Sequence, residues 1–148
     1  QNIMRITTVL LDGIVAAVDM GSVYNGVYTL LAGGTDLLVQ MRGDFVDPDL
    51  VVDIKNIPEM RTVTVENNRY RVGAAVTGIE LMEHEGFNAT WPGVVDGVGL
   101  IGSIQVRGRA TMGGNLMQRP RCWYFRSSEH HCRKKGGTTC FAQIGHCS

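Results

Sequence analysis

Apolar residues in the first hundred positions follow strand and helix periodicities that predict an α+β fold. VYTLLA (27–32) and LVVDI (50–54) are apolar runs typical of buried strands, and TDLLVQMR (35–42) between them has helical spacing with Thr35 as its N-cap. Strand, glycine turn, helix and strand form a βαβ unit, whose strands should be parallel with a right-handed crossover. Helical spacing also predicts a helix over residues 8–19.

A hairpin and further helices are predicted after the βαβ unit. TVTV (62–65) and RYRV (69–72) alternate as strands do, and the asparagines of the intervening Glu66-Asn67-Asn68 turn tolerate positive φ. Thr77 and Glu80 have capping-box spacing before a helix to about residue 85, and Pro92 suits the start of another to about residue 100. After residue 101 we predict mostly loop, organised by a ligand.

Size and composition favour one folded domain. The chain has 148 residues, 44% of them hydrophobic and 19% charged, which argues against disorder. VLLDGIVAAV (9–18) is too short to span a bilayer and lacks the pattern of a secretory signal, so no membrane insertion is expected.

Charge is divided unevenly although the net charge is zero. Residues 1–104 carry 6 basic and 13 acidic side chains, formally −7, and residues 105–148 carry 8 basic and 1 acidic, formally +7. A difference of this size indicates that the C-terminal third faces something negative.

Two glycine-rich segments are candidate ligand loops. AGGTD (32–36) lies between a strand and a helix, where glycine allows close backbone approach and free N–H groups attract an anion; QVRGRATMGGN (105–115) is similar in type. Together they could hold the two phosphates of a dinucleotide, with Asp36 pointing away from them. The alternative, a tight βα turn and an unrelated surface turn, stays open on spacing alone.

All four cysteines, Cys122, Cys132, Cys140 and Cys147, lie in the last 27 residues. Disulfides, a zinc site and a [4Fe–4S] cluster are all compatible with them, although the gaps of nine, seven and six residues do not resemble paired zinc knuckles. Basic neighbours would offset the negative charge of a cluster, and Trp123, Tyr124 and Phe125 could shield it from water. The alternative metal ligands in this region are His130, His131 and His146. A basic stretch interleaved with aromatic residues could also bind single-stranded nucleic acid.

The order and spacing of several motifs resemble the FAD-binding subunit of the xanthine dehydrogenase (molybdenum hydroxylase) family. They are LLAGGTDLLVQMR, VVDIKNIP, VGAAVTGIELMEH, QVRGRATMGGNLMQRPRCWYFR and KKGGTTCFA, within about residues 30–142. The last two resemble the branch with an iron–sulfur loop, as in 4-hydroxybenzoyl-CoA reductase and periplasmic aldehyde oxidoreductases. The resemblance implies the N-terminal portion of a PCMH-type FAD-binding domain over residues 1–121 and a cluster-binding loop over 122–148. It also implies that the family's domain continues beyond such a chain, so a fragment or truncated product is expected.

The resemblance further implies the cofactors, their ligands and the partners. FAD would lie across both glycine loops, and no catalytic acid, base or nucleophile is expected in this chain. The implied FAD-binding residues are Leu31, Ala32, Gly33, Gly34, Thr35, Asp36, Thr77, Thr111, Met112, Gly113, Gly114 and Asn115. The implied [4Fe–4S] ligands are Cys122, Cys132, Cys140 and Cys147.

The implied partners are a molybdopterin-binding large subunit and a small subunit with two [2Fe–2S] clusters, with electrons passing between these centres. No nucleic-acid partner is expected, and the compartment is expected to be the cytoplasm or, for an exported complex, the periplasm. The alternative functions are a four-cysteine zinc module and a nucleic-acid-binding module.

Overall fold

A computed structural model describes residues 27–144 of the chain. The helix predicted over residues 8–19 and the side chains of His146 and Cys147 lie outside the described residues. Within them, no helix is both long enough and apolar enough to cross a membrane.

The predicted βαβ unit is present, but the prediction that its first strand is buried is wrong, because residues of that strand alternate between exposed and half-buried. Strand β1 (Tyr28–Leu31) pairs in parallel with β2 (Leu50–Asp53), and α1 (Leu37–Arg42) lies between them in the chain. The N-cap of α1 is Asp36, so the prediction of Thr35 is wrong by one residue. The turn is longer because Gly34 takes a left-handed φ of 75°. Asp36 makes no side-chain capping bond because its carboxylate accepts hydrogen bonds elsewhere.

The predicted hairpin is also confirmed. Strands β3 (Val63–Glu66) and β4 (Arg69–Val72) pair antiparallel. Glu66 belongs to β3, opposite Arg69, so the turn consists of two residues rather than three. Asn67 and Asn68 take φ values of 50° and 59°, the conformation that a two-residue hairpin turn requires and that asparagine tolerates.

Three helices follow the hairpin. The predicted capping box is present at the start of α2 (Gly78–Glu83), which ends earlier than expected, at His84. His84 then caps α3 (Glu85–Thr90) by accepting a hydrogen bond from the Phe87 N–H at its Nδ1. Helix α4 (Pro92–Gly99) begins at Pro92, as predicted.

The region after residue 101 is more regular than the predicted loop. It contains α5 (Ile104–Arg107), α6 (Met112–Met117), α7 (Trp123–Arg126), a 3₁₀ turn (Arg133–Lys135) and α8 (Phe141–Ile144). Hydroxyl caps explain two of these helices, because Ser103 and Thr111 each accept a hydrogen bond from the third residue of the helix that follows.

Two apolar clusters form the core. The larger one contains Val76, Leu81, Phe87, Val95 and Val98. The smaller one lies beneath the βαβ unit and contains Val52, Ile54 and Ile57. An edge-to-face contact between Tyr70 and Phe87, with ring centroids 5.2 Å apart, joins the hairpin to the larger cluster.

Candidate functional site

The first glycine loop presents backbone donors. The N–H groups of Gly33, Gly34, Thr35 and Asp36 make no hydrogen bond to any residue within 27–144. Gly34 provides the left-handed turn that separates the end of β1 from α1. Consecutive N–H groups with no protein acceptor form an environment that suits the oxygen atoms of a phosphate.

The second glycine loop differs because its donors are already used. The N–H groups of Met112 and Gly113 donate to the carbonyl oxygens of Val76 and Ala74, at 2.8 and 2.9 Å. Those of Gly114 and Asn115 donate to the hydroxyl and carbonyl oxygens of Thr111. These four amides therefore hold the loop in place and are not free to bind an anion.

The two glycine loops pack against each other. A Cβ atom on Gly33 would lie 2.0 Å from the carbonyl oxygen of Arg109, so the absence of a side chain permits this contact. Thr77 and Thr111 form an isolated antiparallel bridge, and the Gly78 N–H donates to the Ala110 carbonyl at 3.2 Å. Both loops and Thr77 therefore lie together in one region of the fold, although they are far apart in sequence.

Asp36 binds the C-terminal segment as well as its own helix. Its Oδ2 accepts from the Gln40 side chain at 2.8 Å. Its Oδ1 lies 3.0 Å from an Arg126 nitrogen and 3.3 Å from Nε of Arg121. The Arg126 guanidinium also lies 5.9 Å from the centre of the Phe45 ring. Two cations of the basic third thus face a carboxylate of the same chain.

Sequence reasoning did not find Arg121, Arg126 or Phe45 as partners of the first loop. The uneven division of charge is the available signal, and it predicts a negative partner for the basic third without identifying Asp36 as that partner. Lone arginines separated from Asp36 by about 90 positions give no indication of which carboxylate they face.

The capping box beside the loops carries a perturbed carboxyl group. Burial alone would raise the pKa of Glu80, but the N–H and hydroxyl of Thr77 and the Arg61 guanidinium all stabilise the carboxylate. Their combined effect holds the pKa of Glu80 below its ordinary value of 4.5. Thr77, an implied cofactor residue, therefore has a structural role at the start of α2.

The cysteine segment holds three separate thiols in the described part of the chain. Cys132 is buried, Cys122 and Cys140 are half-buried, and none of the three forms a disulfide. Within residues 27–144, no three His, Cys, Asp or Glu side chains are close enough together to hold a metal ion. The described cysteines therefore do not fit a preformed cluster site.

A compact turn surrounds Cys132. Its carbonyl oxygen accepts from the N–H groups of Lys135 and Gly137, and Cys132 bridges to Thr139. A Cβ atom on Gly137 would lie 1.9 Å from the carbonyl oxygen of His131, so the turn is tight there.

The aromatic residues near the cysteines do not act together as the expected shield. The Trp123 side chain is 81% exposed. Tyr124 instead packs with His130 and Phe141, with ring centroids 5.2 and 5.7 Å away. Phe125 lies beneath the Arg119 guanidinium at 5.5 Å. These contacts fold the segment onto itself.

Comparisons with known proteins agree with this architecture. The model of the FAD binding domain in molybdopterin dehydrogenase matches residues 12–123, more than half of the chain. The aldehyde oxidoreductase FAD-binding subunit PaoB of Escherichia coli (strain K12) is 31% identical over 116 residues, which cover 78% of this chain and 36% of that protein. The nicotinate dehydrogenase FAD-subunit of Eubacterium barkeri is 33% identical over 87 residues, covering 59% of this chain and 29% of that protein.

Solved structures show the same fold. A chain of carbon monoxide dehydrogenase from Hydrogenophaga pseudoflava, in a form lacking the Mo-pyranopterin moiety of the molybdenum cofactor, superposes with a TM-score of 0.70 and 31% identity. The match covers 76% of this chain and 39% of that one. The chain thus spans between 29% and 39% of the length of these relatives. With a family model matching most of its length, the chain belongs to the family of FAD-binding domains of molybdopterin dehydrogenases.

Proposed function

We propose that this chain supplies the first part of an FAD site in an electron-transfer subunit of a molybdenum-containing dehydrogenase. Family membership supports FAD as the cofactor, and the relatives named above are FAD subunits of an aldehyde oxidoreductase and a nicotinate dehydrogenase. The chain matches only part of these subunits, so the activity of a whole subunit is an extension from them.

The packing of Gly33 against Arg109 carries the proposal. It brings the two glycine loops together and leaves four consecutive N–H groups, those of residues 33–36, without an acceptor among the described residues. Four such consecutive donors on one segment suit a phosphate of a dinucleotide, and the second loop fixes that segment rather than supplying donors of its own. A tight βα turn alone would not require contact with a second glycine loop.

The chain's own residues would position the cofactor. The N–H groups of residues 33–36 would donate to a phosphate. The second glycine loop, fixed by its hydrogen bonds to Ala74, Val76 and Thr111, would hold them in place by packing against Gly33. Pairing with Arg121 and Arg126 offsets the negative charge of Asp36 and so reduces its repulsion of an anion at the same loop. FAD, when bound, accepts and releases the electrons, which requires no acid or base from this chain.

The proposal extends to partners and compartment. A molybdopterin-binding large subunit and a small [2Fe–2S] subunit would exchange electrons with the flavin. The structural match to a chain of carbon monoxide dehydrogenase, an enzyme with a molybdenum cofactor, supports a complex of this kind. We place the complex in the cytoplasm, with the periplasm as the alternative for an exported assembly.

A [4Fe–4S] cluster on Cys122, Cys132, Cys140 and Cys147 is the second part of the proposal. The confinement of all four thiols to one basic segment supports it. The separation of the three described cysteines means that cluster assembly would require this segment to rearrange.

FAD binding is tested by titrating the purified chain with FAD and following the quenching of flavin fluorescence. We expect saturable binding that Gly33→Ala weakens by at least tenfold, and Gly93→Ala, in open space on α4, serves as the matched control. Absence of saturation in the unmodified chain, or equal binding by the Gly33 variant, would contradict the proposed site.

Metal content tests the cysteine assignment. Protein purified without oxygen should contain iron and acid-labile sulfide, with a broad brown absorption that bleaches with dithionite. Cys132→Ser should remove iron and colour, while Ser128→Ala, on an exposed residue nearby, should leave both unchanged. Zinc with no colour would favour the structural metal module. Salt-dependent binding to single-stranded DNA that survives Cys132→Ser would favour the nucleic-acid module.

A further inference from the structure

The C-terminal segment makes a long-range ionic contact with the first glycine loop. The Arg126 guanidinium donates to Asp36 Oδ1 at 3.0 Å across 90 positions of sequence. Its side chain is only 14% exposed, and that of Asp36 is 20% exposed. The attraction between charges so shielded from solvent is stronger than in an exposed ion pair, and removing either partner leaves the other charge uncompensated in a partly buried position.

Additional contacts fix Arg126 at this position. Phe45, just after α1, lies against its guanidinium, and Gln40 occupies the second carboxylate oxygen of Asp36. Arg121 approaches the same carboxylate, but its side chain is 63% exposed, so we expect it to contribute less. Both carboxylate oxygens of Asp36 thereby accept hydrogen bonds from side chains of the same chain.

The same segment is tied to the cysteine turn at its other end. The Lys135 ammonium donates to the carbonyl oxygen of Ser127, and the Ser127 hydroxyl lies 2.9 Å from Nδ1 of His130. Residues 119–127, here named the strap, therefore connect the glycine loop to the turn around Cys132.

We propose that the strap is a docking element held by Asp36, and that the Asp36 side chain positions the glycine loop rather than contacting the cofactor. Docking engages the Asp36 carboxylate, which makes no bond to an N–H group of its own helix, and links the order of the cysteine turn to the loop. The flavin half of this inference rests on the proposed function; the docking half rests on the contacts alone.

Coupling of this kind is reciprocal. If docking of the strap favours the loop conformation that binds FAD, FAD must favour docking of the strap by the same factor. Bound FAD should therefore slow the opening of the strap, and loss of the Asp36 contact should weaken FAD binding.

Hydrogen exchange of the full chain tests docking directly. The amides of Arg126 and Ser127 donate to carbonyl oxygens within the strap, so their exchange reports its opening. Without FAD, Asp36→Asn and Arg126→Gln should each speed exchange in a peptide spanning 121–128 by about tenfold, equivalent to about 1.4 kcal/mol. The double variant should exchange no faster than the single variants, because both remove one contact. Asp47→Asn, on an exposed carboxylate, is the matched control.

FAD titration of the same variants tests the coupling. Asp36→Asn and Arg126→Gln should both raise the Kd for FAD, and FAD should slow strap exchange in the unmodified chain only. The Arg126 guanidinium hydrogen-bonds to the glycine loop at the Asp36 side chain, so an effect from Asp36→Asn without one from Arg126→Gln would identify the Asp36 side chain as a cofactor contact and overturn the inference.

Failure of the two proposals is distinguishable. If the unmodified chain binds no FAD but the exchange pattern is as expected, the docking half stands and the flavin half falls with the proposed function. If exchange in 121–128 is unchanged in both single variants, docking by Asp36 is wrong. A double variant in which the two charges are swapped, Asp36→Arg with Arg126→Asp, controls for misfolding. Hydrogen exchange in its strap should be slower than in Asp36→Arg alone.

Discussion

The backbone of Gly33 lies so close to the carbonyl of Arg109 that a Cβ atom would be only 2.0 Å from that oxygen. This distance is well inside any contact that a real side chain makes. The neighbouring atoms belong to the backbone of Arg109 and Ala110, which cannot move aside as the end of a flexible side chain can. The contact therefore makes the packing of the two glycine loops depend on a single residue.

Gly33→Ala is expected to separate the two glycine loops. We predict a loss of about 2–4 kcal/mol in the free energy of unfolding, because the added methyl overpacks a contact made only by backbone atoms. Urea denaturation followed by far-UV circular dichroism measures it. Gly93→Ala on α4 meets no atom within 4 Å and should be neutral or slightly stabilising. Equal stability of the two variants would show that the loops are not held by this contact.

The strands, the hairpin and the capping box were predictable because local chemistry determines them. The apolar residues of β2 are buried at Val51 and Val52, and Asn67 and Asn68 supply the positive φ of the hairpin turn. The spacing of Thr77 and Glu80 forms the capping box through hydrogen bonds within four residues. Each of these features depends on neighbours in sequence.

The candidate site was predictable only in part, because its assembly depends on contacts between distant residues. The sequence predicts the glycine loops as a pair, but the N–H groups of Met112 and Gly113 are used by the carbonyl oxygens of Val76 and Ala74, a pairing between distant residues. The basic third was expected to neutralise a cluster, whereas Arg121 and Arg126 neutralise Asp36. Periodicity and composition carry no information on which charges meet across the fold.

Glu80 should make the free energy of unfolding of the chain depend on pH. Its pKa in the folded chain is lowered, so its stabilising contribution is fully present above its ordinary value of 4.5 and is lost as pH falls through the folded pKa. Glu80→Gln should therefore destabilise the chain at pH 7, and the difference from the unmodified chain should shrink as pH falls below 4.5. Thermal unfolding at a series of pH values measures this. Glu83→Gln, on an exposed residue of α2, is the control and should show no such convergence.

Gly137→Ala should open the turn around Cys132. The added methyl would lie 1.9 Å from the His131 carbonyl oxygen, so the turn that buries the Cys132 thiol cannot close. We expect alkylation of Cys132 by iodoacetamide, quantified by peptide mass spectrometry in metal-free protein, to become at least tenfold faster, because burial then no longer limits access. Thr138→Ala, at an exposed neighbour, should leave the rate unchanged. Fast alkylation of Cys132 already in the unmodified chain would mean that the turn does not protect it.

Leu81→Ala should test whether the larger apolar cluster holds the chain together. Leu81 is 1% exposed and lies in the cluster that joins the hairpin to α2, α3 and α4. Truncating it leaves a cavity, which typically costs about 2–5 kcal/mol of unfolding free energy. Leu116→Ala removes the same atoms from a side chain that is 80% exposed and should change stability by about 0.5 kcal/mol or less. Both free-energy changes are measured by urea denaturation, with one m value (the slope of unfolding free energy against urea concentration) fitted to all variants. A similar small loss at both positions would mean that the cluster around Leu81 does not form, and that the hairpin and α2–α4 do not share a core.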